Sequence, residues 1–161
     1  MTPTIASVWA IAATASVRPM PVPVVAAGGI ADARGVRAAM ALGASGVQVG
    51  TAYLLCPEAD TSAVHQRALA SPAAAHTALT NVFTGRPARG VLNRVMREMG
   101  PLAEDAPRFP LATSALAPLR AEAEARDNGD FSPLWAGQAA PLSRPLPAAE
   151  LTRALAAGLV A

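Results

Sequence analysis

Residues 22–51 carry the pattern that most restricts the fold of this chain: two short apolar runs, each ending in a glycine turn, with a helical stretch between them. Val22–Ala26 is continuous and β-branched, which is typical of a strand buried on both faces of a parallel sheet. Ala33–Leu42 has helical spacing, and Gly46–Val49 is the second run. The pattern predicts a βαβ unit of about 30 residues, a unit whose crossover is almost always right-handed.

The ends of the predicted helix carry capping residues. Asp32 stands where an N-cap side chain accepts amide hydrogen bonds, and Gly43 stands where a helix C-terminal glycine belongs. Pro23 has no N–H for a ladder and is expected at a strand start or a sheet edge. The buried side of the helix is expected to comprise Val36, Ala39, Met40 and Leu42.

The two glycine turns follow adjacent parallel strands and predict an anion site. Glycine adopts positive φ and lets main-chain N–H groups approach a ligand without a Cβ between them. The positive end of the helix that follows favours a phosphate. Gly28 and Gly29 form the first turn, and Gly50 and Thr51 form the second. A plain tight turn is the alternative for the first, and a helix cap is the alternative for Thr51.

The first residues have two interpretations. Ile5–Val17 is apolar or small throughout and shows helical spacing, which predicts one face of an amphipathic helix. A signal peptide is the alternative, but Met1–Thr4 lacks the positive side chain that such a segment normally carries. The packing helix is the preferred interpretation.

After Thr51 the chain is rich in alanine, and no segment predicts a further strand. Residues 101–113 hold three prolines and are expected to be a loop. Pro118 is expected in a first helical turn or at a kink. The helices expected here are Glu58–Ala70, Pro72–Leu79, Ser114–Arg126, Ser132–Ala140 and Pro147–Leu159, with Leu151, Leu155 and Leu159 on one stripe of the last.

Composition excludes several classes of protein. Hydrophobic residues make up 52% of the 161 residues, but no run approaches the roughly 18 apolar residues of a membrane span. The 13 basic residues are all arginine and are nearly balanced by 11 acidic residues. They form no basic block in the sequence, so nucleic-acid binding is not supported. The lone Cys56 excludes an internal disulfide framework and a Cys-rich metal site, and we expect it to be a small core residue. No membrane and no nucleic-acid partner are expected, and the cytoplasm is the predicted location.

Four motifs make the interpretation specific. Residues 26–35 read AAGGIADARG, 41–51 read ALGASGVQVGT, 83–89 read FTGRPAR and 134–138 read LWAGQ. In this order they resemble the carboxyl-terminal half of the nitronate monooxygenase family, also called 2-nitropropane dioxygenases. The first two motifs alone also fit related FMN-dependent barrels. The resemblance extends from about Pro21 to near the end of the chain.

The resemblance implies an α/β fold: a partial TIM (β/α)8 barrel with its last two parallel strands and their crossover helix, followed by a mostly helical lid and closing helices. It implies three parts. Residues 1–56 are the carboxyl-terminal portion of the FMN-binding barrel, 57–130 are a lid of helices and loops, and 131–161 are closing helices that return to the barrel. A complete barrel has eight strands and about 250 residues, so this chain supplies about its last quarter.

The resemblance also implies an FMN-dependent enzyme that oxidises alkyl nitronates with O2 to a carbonyl compound and nitrite. Arg86 and Arg89 attract the anionic nitronate in one interpretation and are surface arginines in the other. The residues implied to hold the FMN phosphate are Gly28 and Gly29 from one loop and Gly50 and Thr51 from the next, with Ala27 and Gln48 as flanking candidates.

The sequence departs from the family at the catalytic base. Members carry a histidine in a Gly-Gly-His-type segment on an upstream strand, and this sequence has no such segment. Its histidines, His65 and His76, lie downstream in alanine-rich helical stretches and match no catalytic position, so no catalytic residue is assigned. The chain alone is therefore expected to be inactive.

Other functions and partners remain open at this stage. A related FMN-dependent reductase, acting on NADH and quinone or on an enoyl-acyl-carrier protein, shares these phosphate loops. A non-catalytic fragment, or one half of a split barrel, is a further alternative. The two-strand count predicts association with a missing amino-terminal barrel half or with a second copy. A truncated gene, a mis-called start codon and a split protein are equally compatible with the sequence.

Overall fold

The computed structural model describes residues 23–159, which form an α/β protein with two small sheets. The chain divides into two compact units, Met1–Asp60 with Gln138–Ala161, and Thr61–Gly137. Each unit has its own buried core. The helix predicted over residues 5–17, and the alternative signal peptide, lie outside the described residues. The three-part division that the resemblance implies stays a prediction.

The first unit begins with the predicted strand, helix and strand. Its elements are β1 (Val25–Ala27), α1 (Ala33–Ala41) and β2 (Gly46–Gln48). The two strands pair in parallel, and their last paired residues are Ala27 and Gln48. Pro23, which has no N–H to donate, lies before the strand. The predicted strand ends were Ala26 and Val49, so β1 ends one residue later than predicted and β2 ends one residue earlier.

The caps of α1 are those that the sequence predicts. Asp32 is the N-cap residue, and its carboxylate accepts from the main-chain N–H groups of Arg34 and Gly35. Gly43 follows the helix with a φ of +92°, a value that glycine adopts readily. The helix ends at Ala41, one residue before the predicted end.

The expectation that β1 is buried on both faces is wrong. Ala26 is buried and packs with Ala39 and Ala44, whereas Val25 is 58% exposed and Ala27 is also exposed. Successive side chains of a strand point to opposite faces of the sheet. Among the described residues, therefore, α1 covers one face of β1, and the other face is open.

A cluster of buried side chains forms the core of the first unit. Besides β1, α1 and β2, this unit contains 3₁₀ helices at Thr51–Leu55 and Ala140–Leu142 and a final helix, α5 (Ala148–Ala156). Leu151 and Leu155 of α5 pack with Val36 of α1 and with Cys56, which is buried as expected. The third leucine of the predicted stripe, Leu159, is 54% exposed because α5 ends before it.

The second unit corrects the prediction that no strand follows Thr51. It contains α2 (Ala63–Ala70), a 3₁₀ helix at Pro72–Ala75, β3 (Thr77–Thr80), β4 (Ala88–Val91), α3 (Arg94–Met99) and α4 (Leu111–Ala125). β3 and β4 pair antiparallel, with Thr77 opposite Val91. The helix expected over Pro72–Leu79 is thus a 3₁₀ turn followed by a strand. Pairing with distant β4 outweighs the local helix propensity of alanine.

The helix expected over Ser132–Ala140 is also wrong. Trp135 instead forms an antiparallel bridge with Gly90, and the Ala136 N–H donates to the Arg89 carbonyl oxygen at 3.0 Å. The Val91 N–H donates to the Leu134 carbonyl oxygen at 2.8 Å. This segment lies alongside β4, so its backbone groups are satisfied by the sheet rather than by a helix.

α3 lies where the sequence predicts no helix, and two of the predicted helices differ at their starts. α2 begins at Ala63 rather than Glu58, after Ser62, whose hydroxyl accepts from the His65 N–H. α4 begins at Leu111, inside the segment expected to be a loop. Pro118 lies inside this helix, beyond its first turn. Within residues 23–159, no helix is long and apolar enough to cross a membrane, and the cytoplasmic location stays a prediction.

We expect Leu155→Ala to lower the free energy of unfolding by about 2–4 kcal/mol, because it empties a buried position against Val36 and Cys56. Leu159→Ala is the matched control at the end of the same stripe, where the side chain is 54% exposed, and it should change stability by about 0.5 kcal/mol or less. Urea denaturation measures both. Equal losses would contradict the packing of α5.

Candidate functional site

The two glycine turns leave the first sheet at the same edge. The register ends with Ala27 opposite Gln48, and the next residues along the two strands lead into the turns. Because β1 and β2 are parallel, their carboxyl ends lie side by side, roughly 5 Å apart. The structure therefore brings together the two segments that sequence reasoning selected.

The first turn has a conformation that requires glycine. Gly28 and Gly29 have φ of +87° and +73°, in the region that other residues rarely adopt. A Cβ built on Gly28 would meet no atom within 4 Å. Gly28 is exposed and Gly29 is half-buried. Packing does not explain the glycine at residue 28; its backbone conformation does, and open space lies beside it.

The second turn differs from the first. Gly50 has a φ of −117°, which any residue can adopt, and a Cβ there would also meet nothing within 4 Å. Its carbonyl oxygen accepts from the Tyr53 N–H at 2.9 Å. Thr51 is the first residue of the 3₁₀ helix, and Gly50 occupies the capping position. Neither backbone conformation nor packing in the described residues explains glycine at residue 50.

The two flanking candidates lie on the open face of the sheet. Ala27 and Gln48 are paired and both exposed. Ala26, the neighbour of Ala27, packs towards α1, so Ala27 points to the opposite face. Since directly paired residues share a face, Gln48 points there as well. Its amide can donate and accept hydrogen bonds beside the two turns.

Two main-chain N–H groups at the N-terminus of α1 are bonded to its own capping side chain. Asp32 Oδ1 accepts from the Arg34 and Gly35 N–H groups at 3.0 and 3.1 Å. Arg34 donates to Asp32 Oδ2 from Nε at 2.9 Å and from Nη2 at 2.6 Å. The hydrogen bond from the Arg34 side chain is the largest cause that lowers the pKa of Asp32, and the main-chain hydrogen bonds lower it further. An anion at the first turn would therefore meet the N–H groups of the turn rather than those of the helix.

Sequence reasoning identified Asp32 only as a cap and did not select Arg34. The signal was present in the sequence: an acidic N-cap followed two residues later by an arginine. A carboxylate in that position accepts the first free amides of the helix, and the arginine lies within reach of its second oxygen. The pair stands at the third and fifth residues after Gly29.

Two downstream motifs meet in the second unit. Phe83 and Trp135 pack edge to face, with ring centroids 5.7 Å apart. Gly85, at a φ of +82°, lies so close to the main chain at Phe109 that a Cβ would collide with it. The Arg86 guanidinium stacks on the Phe109 ring, 4.4 Å from its centroid. These contacts hold the segment in place.

The two arginines of this region make contacts inside their own unit. Arg89 is half-buried, and its Nη1 donates to the Thr77 carbonyl and hydroxyl oxygens at 3.2 Å each. Arg86 lies on an aromatic ring, as described above. Both contacts favour a structural role for these side chains over attraction of a substrate.

The histidines do not form a catalytic group with other residues. His65 Nε2 lies 2.8 Å from the Trp135 carbonyl oxygen, and burial lowers the pKa of His65. A neutral ring that donates to this carbonyl satisfies the geometry. His76 is exposed and lies between the 3₁₀ helix and β3, not in a helix as predicted. Across the described part of the chain, no three His, Cys, Asp or Glu residues are grouped as metal ligands.

A family model and the curated relatives of this chain indicate the same family. The family model described as nitronate monooxygenase matches residues 2–158. A nitronate monooxygenase of Pseudomonas aeruginosa is 52% identical over 134 residues, which are 83% of this chain and 38% of that protein. A probable nitronate monooxygenase of Bacillus subtilis is 41% identical over 117 residues, 73% of this chain and 34% of that protein. The chain thus spans well under half the length of these relatives.

Two solved structures also resemble this chain. The nitroalkane oxidase of Streptomyces ansochromogenes superposes with a TM-score of 0.84 at 40% identity, over 95% of this chain and 43% of that one. FabK from Thermotoga maritima superposes with a TM-score of 0.72 at 27% identity, over 94% of this chain and 48% of that one.

The two turns should respond differently to alanine. Gly28→Ala forces a residue with a Cβ to a φ of +87° and should lower the free energy of unfolding by about 1–2 kcal/mol. Gly50→Ala, at a φ of −117° with open space beside it, should change it by about 0.5 kcal/mol or less. Chemical denaturation compares the two variants. A large loss for Gly50→Ala would refute the open space at the second turn.

Proposed function

This chain belongs to the nitronate monooxygenase family, and from that premise we propose that its two glycine turns hold the phosphate of FMN. The observation that carries the proposal is the pair of open spaces beside Gly28 and Gly50, where a Cβ would meet nothing within 4 Å. The two turns leave adjacent parallel strands at the same edge of the sheet. A phosphate needs close approach to main-chain N–H groups, and residues without Cβ allow it.

The role of each residue follows from its position. Gly28 and Gly29, both at positive φ, present main-chain N–H groups from the first turn. Gly50 and Thr51 approach from the second, and the Thr51 hydroxyl adds a possible donor. The flanking residues Ala27 and Gln48 lie on the open face of the sheet, where the Gln48 amide can orient the flavin.

FMN, when bound, supplies the redox chemistry by which an alkyl nitronate and O2 become a carbonyl compound and nitrite. The part of this chain is to hold and orient the cofactor. No catalytic residue is proposed among residues 23–159, since neither histidine matches a catalytic position of the family and His65 lies against a main-chain carbonyl. The catalytic base would come from a segment outside this chain, and the chain alone would be inactive.

We also propose that β1 and β2 are the last two strands of a TIM barrel. Three observations support this: the parallel pairing, the glycine turns at the carboxyl edge, and the open sheet face at Val25 and Ala27. In such barrels the phosphate site commonly lies in the loops after the last two strands. The open face would then meet an amino-terminal barrel portion, or another copy of the chain. The residues after Thr51 would supply the lid and the closing helices.

Two other candidates have specific support. The likeness to FabK favours a related FMN-dependent reductase, acting on NADH and quinone or on an enoyl-acyl-carrier protein. The open face of the two-stranded sheet favours a non-catalytic fragment or split-barrel partner. Steady-state assays of the chain combined with the amino-terminal portion of the P. aeruginosa relative distinguish the three. Turnover of a nitronate with O2 supports the first function, turnover of NADH with quinone or of an enoyl-acyl-carrier protein supports the second, and no turnover with any of them supports a non-catalytic fragment.

Gly29→Asp should weaken FMN binding at least about ten-fold, because it places a carboxylate against the phosphate. Gly29→Asn is the matched control. Asp and Asn both tolerate positive φ and have the same shape, so they differ only in charge. Flavin fluorescence quenching measures the affinity of each variant. Equal FMN affinities for the two would refute the phosphate-binding role of the first turn.

A further inference from the structure

A charged pair stands directly after the first glycine turn. Asp32 is three residues beyond Gly29, so the two Cα atoms lie within roughly 10 Å of each other. An ionised carboxylate at this distance would repel a phosphate bound in the turn. The pKa of Asp32 is lowered, chiefly by its hydrogen bonds with Arg34, so the carboxylate is ionised at neutral pH.

Both oxygens of this carboxylate are engaged. Oδ1 accepts two main-chain N–H groups of α1, and Oδ2 accepts two donors from the Arg34 side chain, at 2.9 and 2.6 Å. The guanidinium thus lies against the oxygen that the helix leaves free. Two opposite charges this close produce a field that falls off much faster with distance than that of either charge alone.

The surrounding side chains add no second carboxylate. Asp32 and Arg34 line a groove of about 360 Å³ in the first unit, together with Arg144. The other lining residues are all uncharged. With one aspartate and two arginines, the lining of this groove carries a formal charge of +1, and this excess depends on Arg34.

Resting on the phosphate site proposed above, we infer that Arg34 is a specificity-determining residue. By neutralising Asp32, it allows the first turn to select a flavin that carries a phosphate, FMN, over riboflavin, which lacks one. Asp32 is kept because it caps α1 and fixes the end of the turn. The positive charge of Arg34 offsets the repulsion between the Asp32 carboxylate and a bound phosphate.

A purely structural role for the pair predicts a different result. Arg34 has a side chain that is 78% exposed, and solvent-exposed ion pairs contribute little to stability. A structural defect at the turn would lower the FMN affinity whichever member of the pair is replaced. A role in charge predicts changes of opposite sign in the FMN-to-riboflavin ratio for Arg34→Gln and Asp32→Asn, and these opposite signs isolate the effect of charge on the phosphate.

The test measures the FMN and riboflavin affinities of the 161-residue chain by flavin fluorescence quenching at low salt. Arg34→Gln should lower the FMN-to-riboflavin ratio about five-fold, as expected for one uncompensated charge near a phosphate. Asp32→Asn keeps a good N-cap and should raise the ratio by a similar factor. The double variant should return to within about two-fold of the original chain.

Arg37→Gln is the matched control, since it removes the same charge from an exposed position of the same helix, and it should leave the ratio within about two-fold. An unchanged ratio in Arg34→Gln, a parallel loss of both flavins, or a double variant that does not recover would overturn the role of Arg34 alone. If the unmodified chain does not prefer FMN to riboflavin, the phosphate site itself is refuted, and the role of Arg34 with it.

Discussion

The candidate site depends on the parallel pairing of β1 with β2. Their register ends with Ala27 opposite Gln48, so two segments that are about twenty residues apart in the sequence turn away from the sheet side by side. The short crossover through α1 fixes this arrangement, because Ala39 of the helix packs on Ala26 beneath the sheet. A slip of one residue in this register would expose Ala26 and separate the two glycine turns.

The same pairing leaves one surface incomplete. α1 covers a single face of β1, and Val25 on the other face is more than half exposed. Two-stranded sheets are marginally stable unless something packs against them. Here α1 packs on one side of the sheet, and α5 in turn packs on α1. The open face and the glycine turns both support the proposal that this chain contributes the phosphate-binding part of a larger flavin-binding barrel.

The strand, helix and strand of the first unit could be predicted because their signals are local: the Asp32 cap, Gly43 after the helix, and the β-branched runs. The second unit could not. β3 and the Trp135 segment satisfy their backbone groups on β4, eight or more residues away, and alanine-rich sequence hides such pairing. At the site, the sequence alone predicted that a glycine turn follows each of the two strands. The ion pair of Asp32 with Arg34 was predictable only in part: the spacing of the two residues permits the contact, but the contact itself depends on their side-chain conformations.

The central claim is that the two glycine turns bind the phosphate of FMN, and an NMR titration of the isotopically labelled chain tests it most directly. Addition of FMN should shift the amide signals of Gly28, Gly29, Gly50 and Thr51 most strongly, and riboflavin, which has no phosphate, should leave these signals nearly unmoved. Equal shifts with both flavins, shifts confined to other residues, or a spectrum without the dispersion of a folded protein would contradict the account.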